Sequence, residues 1–212
     1  MKKREMLKYL LVGILVVVLL VSSYFAVYYY NSSQALTRRI QGATIESAME
    51  FHHILSYATD VLESLEYETE RENIRDLIRY FTWYIYSARG LLHTLRTDLL
   101  PSYEDSLLIV EDLLWNMSVT SLGGVSHTFE HLLDLWSTNA SYVTTAFKEL
   151  NQVASEKIDD MGFELAEAFE SLRRNGIVQT FKIVPSRMES VVAIANDLRT
   201  TLNEWATKYS QM

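Results

Sequence analysis

A run without a single charge, YLLVGILVVVLLVSSYFAVYYY from Tyr9 to Tyr30, constrains this chain more than any other stretch. At about 1.5 Å per residue, a helix over that run is long enough to cross the roughly 30 Å hydrocarbon layer of a bilayer. The run therefore predicts a transmembrane helix, and the fold has to leave it outside the core. Lys2, Lys3, Arg4 and Lys8 precede it, whereas the first charges after it are Arg38 and Arg39. The positive-inside bias then predicts a cytoplasmic N-terminus over 1–8, a membrane anchor over 9–30 and an extracytoplasmic domain over 31–212. Tyr24, Phe25, Tyr28, Tyr29 and Tyr30 would form the outer aromatic belt, with Tyr9 at the inner edge. The competing reading is a cleaved secretory signal with Val21–Ser23 as the cleavage site, but the apolar run continues to Tyr30, beyond what a signal needs. Both readings export the rest of the chain. No second stretch is apolar enough over a sufficient length to span, so no return to a cytoplasmic output domain is expected.

Export narrows the chemistry. Without cysteine, the domain has neither disulfides nor thiolate metal sites open to it and must be held by its core. The chain has 19 basic and 27 acidic residues; setting aside the four bases and Glu5 before Tyr30 leaves 15 against 26, a formal charge of −11. Such a surface repels phosphate backbones, so nucleic acid is not an expected partner. Asn31-Ser-Ser, Asn116-Met-Ser and Asn139-Ala-Ser match the N-glycosylation acceptor pattern and suit an outside location.

Periodicity beyond the anchor is helical throughout, and the only prolines are Pro101 and Pro185. Phe51, Ile54, Ala58, Val61 and Leu65 recur at three- and four-residue steps, in a helix that no Pro or Gly separates from the anchor between Tyr30 and Gln41. The polar EYETEREN, Glu66 to Asn73, predicts a turn. Ile74, Ile78, Phe81, Ile85, Ala88, Leu92, Leu95 and Leu99 then predict a second helix packed along its whole length. Pro101 ends it, with Ser102 as N-cap of a third helix carrying Leu107, Val110, Leu114 and Met117. Ser121–Gly124 predicts a turn. A fourth pattern runs from Ser126 to Arg174 through Phe129, Leu133, Trp136, Ala140, Val143, Phe147, Leu150, Ala154, Met161, Leu165, Ala168 and Leu172, with a break expected in Trp136–Ser141. Arg173–Gly176 reads as a helix stop, IVQTFKIV as a connector that is either a helical turn or a single strand, and Ser186–Glu189 as a capping box. Met188, Val191, Ala195, Leu198, Leu202, Trp205 and Tyr209 form the last seam. The expectation is an all-α fold: one transmembrane helix, then an elongated antiparallel bundle with coiled-coil-like seams.

Two stretches invite a chemical reading. GGVSHTFEHLL, Gly123 to Leu133, resembles the zinc-binding helix of the pitrilysin-type inverzincin peptidases. The resemblance implies zinc on His127 and His131, Glu130 as general base, and a downstream glutamate such as Glu189 or Glu204 completing the metal shell. Helical phase says otherwise: with Phe129 and Trp136 in the seam, His127, Glu130 and His131 fall outside it. Two ligands on an open face make a solvated surface, with Asp134 one turn on as a third group for a weakly held metal. The other histidines, His52, His53 and His93, also fall off their seams. The second stretch, RYFTWYIYSAR from Arg79 to Arg89, carries Tyr80, Trp83, Tyr84 and Tyr86 off the seam of Phe81 and Ile85. Either this helix is central to the bundle and covered on several sides, or these rings form an exposed patch for a partner protein or a small ligand.

These observations predict a non-enzymatic, membrane-anchored exported bundle that scaffolds or binds other proteins or itself, with no cofactor. The alternative is a ligand-binding or sensory ectodomain resembling the helical sensor domains of chemoreceptors, which would need a partner to signal.

Overall fold

A computed structural model describes residues 2–118, 124–174 and 177–210. It divides into two compact units, Met1–Gln41 and Gly42–Met212. The first helix, α1, runs unbroken over Lys2–Tyr67, in keeping with the absence of Pro or Gly between Tyr30 and Gln41, and continues through Gly42. It is long and apolar enough to cross a membrane. In the first unit every residue from Leu15 to Ile40 is exposed. The side chain of Tyr9 lies outside the described residues.

The second unit is a helical bundle formed by the rest of α1 with α2 (Arg71–Thr94), α3 (Glu104–Ser118), α4 (Val125–Glu167) and α5 (Pro185–Tyr209). The turn expected at EYETEREN lies between Tyr67 and Arg71, where the Glu68 carboxylate accepts the N–H groups of Thr69 and Glu70 at 2.7 and 2.9 Å. Those bonds, Glu70 first, hold its pKa below the ordinary carboxylate value. Side-chain pairings show neighbouring helices running antiparallel. Arg96, in the turn Leu95–Leu99 that follows α2, meets Glu104 at the start of α3, while Arg89 of α2 meets Glu111 farther along it. Glu66 meets Asn151 while His52 meets Asp159 across α1 and α4. Lys208 meets Glu149 while Arg187 meets Glu164 across α4 and α5.

Most positions of the seams read from three- and four-residue steps form the core, while Ile54 and Leu99 are half-buried. Ile74, Ile78, Phe81, Ile85, Ala88, Leu92 and Leu95 are buried, as are Leu107, Val110, Leu114 and Met117, and Met188, Val191, Ala195, Leu198, Leu202, Trp205 and Tyr209. Phe129 is the hub. Its ring lies 5.7 Å from Phe81, 6.0 Å from Phe147 and 5.8 Å from Trp205, joining α2, α4 and α5 in edge-on and tilted contacts. The Trp205 indole N–H donates to the Ala146 carbonyl at 2.9 Å, so a buried polar group has its partner. Gly162 of α4 lies against α1: a Cβ there would stand 3.1 Å from the backbone Cα of His52.

Where the C-terminal end of α5 meets the middle of α4, the Glu149 carboxylate accepts from the Lys208 ammonium and the Tyr209 hydroxyl. The Lys208 bond, then the Tyr209 bond, lower the Glu149 pKa. The bond to Glu149 raises that of Lys208, and burial followed by the same carboxylate raises that of Tyr209.

Four expectations need correction. The fold is the expected all-α bundle, but α4 ends at Glu167 rather than near Arg174, and residues expected in its last turns form a strand of one small hairpin. That strand, β1 (Phe169–Arg174), pairs antiparallel with β2 (Ile177–Ile183), from Phe169 opposite Ile183 to Arg174 opposite Ile177. Leu172, placed in the helical seam by its spacing, is 62% exposed. The Phe169 and Phe181 rings stack at 6.0 Å and the Val184 N–H donates to the Ala168 carbonyl, fixing the hairpin base. Asn175 and Gly176 lie outside the described residues. They are also the only residues between the paired Arg174 and Ile177, and an Asn-Gly step between β-forming segments is a hairpin signal that competes with the helix-stop reading.

Second, the register drawn through Leu133, Trp136 and Ala140 is wrong. Asn139 leaves helical geometry with φ −150° and ψ 64°, inside the segment where a break was expected. Its Oδ1 accepts the Tyr142 N–H at 3.2 Å and caps the helical stretch that follows. The two parts of α4 are therefore out of phase: Leu132 is buried, Leu133 and Trp136 are half-buried, and Ala140 is exposed. Third, Ser102 lies within a 3₁₀ turn, Pro101–Tyr103, that leads into α3, rather than at a cap. Fourth, α5 begins with Pro185 at its first position and no side chain caps it, so Ser186–Glu189 is not a capping box. Of the expected turn at Ser121–Gly124, only Gly124 is described; it precedes α4 in an extended conformation.

Candidate functional site

On α2, Ile78, Thr82 and Tyr86 follow one another at four-residue steps, and Arg79 and Trp83 do the same beside them. These five residues form one wall of an open cleft of about 660 Å³. Trp115 and Ser118 of α3 form the second wall, and Ser126 and Glu130 of α4 close it. Of the lining residues Ile78 and Ser126 are buried, whereas Arg79, Trp83, Tyr86, Trp115 and Glu130 are exposed. The Ser126 hydroxyl donates to the Met117 carbonyl at 2.8 Å, tying the start of α4 to the end of α3.

The rings stand in solvent. Trp83 is 60% exposed, Tyr86 58% and Trp115 42%, so the idea that this helix is covered on several sides fails on this face. Tyr80 is exposed but does not line the cleft. Tyr84 is half-buried, held between Tyr57 at 5.7 Å and Trp83 at 5.1 Å, and braces the α2 wall from behind. Of the four off-seam aromatics, two enter the cleft.

The HTFEH segment joins the same site differently from its motif reading. Glu130 is exposed, reaches the cleft and carries no hydrogen bond or ion pair among the described residues. His127 and His131 are half-buried rather than on an open face, and the His131 Nε2 is buried without a hydrogen-bond partner. Asp134 is exposed and does not line the cleft. Among the described residues, no three His, Asp or Glu side chains are placed to hold a metal ion.

Beside the cleft, and sharing Tyr86 with it, lies a smaller pocket of about 230 Å³ lined by Tyr86, Arg89, Gly90, His93 and Glu111. Glu111 is 6% exposed and is the acid around which the α2–α3 pairing is organised. It accepts from Arg96 Nε at 2.8 Å and from Arg89 at 3.4 Å, with the His93 ring nitrogen 3.3 Å away. The Arg89 guanidinium also lies over the Trp115 ring at 4.2 Å. A buried carboxylate with two arginines keeps its desolvation compensated, and loss of either partner would leave a charge stranded. Neither Glu111 nor Trp115 figures in the motif reading. Both carry a signal: each lies just off the seam of Val110, Leu114 and Met117, where a tryptophan has to face outward and a glutamate needs a basic partner.

A third hollow, about 500 Å³, is lined by Ile45, Met49, His52, His53, Phe163, Ala166, Glu167, Phe169 and Ser171. Here His52 faces Asp159 at 3.5 Å and Phe163 edge-on. The acceptor asparagines Asn31, Asn116 and Asn139 are all exposed.

No protein-family model matches this chain, and no curated protein or solved structure matches it significantly.

Proposed function

We propose that the chain is a membrane-anchored, extracytoplasmic helical module that holds a partner protein through the face built by Trp83, Tyr86 and Trp115. The observation that carries this reading is the cleft itself. Two tryptophans and a tyrosine from two helices remain in solvent, while Phe51, Phe81, Phe129 and Phe147 are sealed inside. Clustered exposed aromatics are the usual anchors of protein recognition. The exposed apolar surface of α1 from Leu15 supports the anchor, and the bases before the run against Arg38 and Arg39 after it support an outside bundle. We assign the chain no reaction.

A photo-crosslinking residue at Thr82, on the cleft wall, tests this in cells expressing the full-length protein. The expected outcome is one discrete crosslinked protein, lost when Trp83→Ala is added. Recovery of the chain alone, with neither a partner nor a second copy attached, would overturn it. A second reading, a ligand-binding or sensory ectodomain acting through a partner, draws on the cleft volume, which falls within the span of small-molecule sites. It predicts a small molecule released from the native protein and missing from Trp83→Ala, detected by mass spectrometry.

A further inference from the structure

We propose that the cleft between α2, α3 and the start of α4 recognises an organic cation, the guanidinium or ammonium group of an Arg or Lys side chain in a basic segment of the partner. This rests on the protein-interaction reading and specifies the chemistry of its contact.

Three observations support it. First, the walls are rich in π surface: Trp83, Tyr86 and Trp115 line one cleft, and tryptophan and tyrosine faces attract cations through the ring quadrupole. One of these rings is already used that way, since the Arg89 guanidinium lies 4.2 Å from the Trp115 centroid. Second, the charges in the lining are not balanced against each other. Arg79 is matched by Asp76 at 3.1 Å, and Arg89, on the adjoining pocket, is matched by Glu111. Glu130 has no partner among the described residues, which leaves one uncompensated carboxylate beside the rings. Third, the residues after Tyr30 carry 26 acids against 15 bases, so the field around the cleft steers cations toward it and anions away. An acidic partner or a phosphate would meet repulsion at each of these levels. A purely apolar partner would have to desolvate Glu130 without pairing it.

The test uses the full-length protein in phosphatidylcholine nanodiscs, where a neutral lipid surface holds no cationic probe. A fluorescent ten-residue peptide of alternating Arg and Ser is titrated by anisotropy against an equal-length peptide of Glu and Ser. Saturable binding of the Arg peptide alone is expected, displaced by tetramethylammonium chloride more effectively than by equal sodium chloride. Trp83→Ala should weaken binding about thirtyfold, as expected for loss of an anchor ring. Trp83→Phe should restore most of it, and Glu130→Gln should cost about fivefold. Circular dichroism and Tm of each variant verify the fold. Equal binding of both peptides, or an Arg-peptide affinity indifferent to Trp83 and Glu130, would overturn the proposal.

The crosslinked partner separates this from the reading beneath it. A partner lost in Trp83→Ala but unmoved by Glu130→Gln and by excess Arg peptide leaves the interaction module standing and removes the cation. A partner unmoved by every variant removes both. A dimer that Trp83→Ala converts to monomer, with no peptide bound by either form, makes a second copy the occupant and also removes the cation.

Discussion

The bundle has two aromatic clusters with opposite fates. Phe81, Phe129, Phe147 and Trp205 meet in the core, where Phe129 and its neighbours from three helices lie within 6.0 Å. Trp83, Tyr86 and Trp115 line a cleft open to solvent. Phe81 and Trp83 are two residues apart on one helix, so composition and neighbourhood do not separate them; helical phase does. The inner cluster draws mainly on phenylalanine, which has no polar atom to satisfy. The outer one uses tryptophan and tyrosine, whose N–H and O–H groups stay hydrated. One set of rings holds the fold and the other is available to something else.

The sharpest way to break that division is to treat both clusters alike. Phe129→Ala, which empties the hub, should cost about 3–5 kcal/mol of stability in urea unfolding. A loss near zero would mean the core does not depend on this ring. Trp205→Phe keeps an aromatic ring but removes part of the buried indole together with the N–H that donates to the Ala146 carbonyl. About 1–3 kcal/mol should be lost by the same measurement.

A smaller effect lies at the Glu149, Lys208 and Tyr209 cluster. The lowered Glu149 pKa adds stability that is present above its unfolded value and lost as pH falls through the folded one. The raised Lys208 and Tyr209 values add stability that is present below their unfolded values and lost as pH climbs through the folded ones. Tm should therefore be flat near neutrality and fall at both extremes. Glu149→Gln, at a partly exposed cluster, should lower the neutral plateau by no more than about 2 °C and weaken the acid limb. An acid limb identical to that of the native protein would rule this cluster out as a contributor. Smallest of all, Trp83→Ala and Tyr86→Ala should move stability by no more than about 0.5 kcal/mol while abolishing partner capture. A large loss of stability at either would make the outer cluster part of the core.

The seams were readable because a buried helix face has to repeat at three- and four-residue steps, and Ile74 through Leu95 do so without interruption. What was hidden had two meanings in one sequence. Arg-Arg-Asn-Gly serves a helix end and a hairpin equally well, and only the pairing of Phe169 with Ile183 decides between them. Asn139 marked a break, but the size of the phase change there depends on a backbone angle that spacing does not encode. The cleft was half legible. Trp83 and Tyr86 stand out as off-seam rings, and Glu130 belongs to a metal-like motif. That these residues face one another, with Trp115 opposite, follows from how three helices pack and from no single stretch.

Gly162 has a consequence for how the bundle keeps its alignment. A glycine inside a helix costs about 1 kcal/mol relative to alanine, and here it lets the backbone of α1 come where a methyl group would stand 3.1 Å from His52 Cα. Helices seamed by similar aliphatic side chains can slide one turn past each other and still bury much the same surface. A notch of this kind favours the position in which His52 lies opposite Gly162. Gly162 therefore acts as a detent, setting the axial position at which α1 settles against α4.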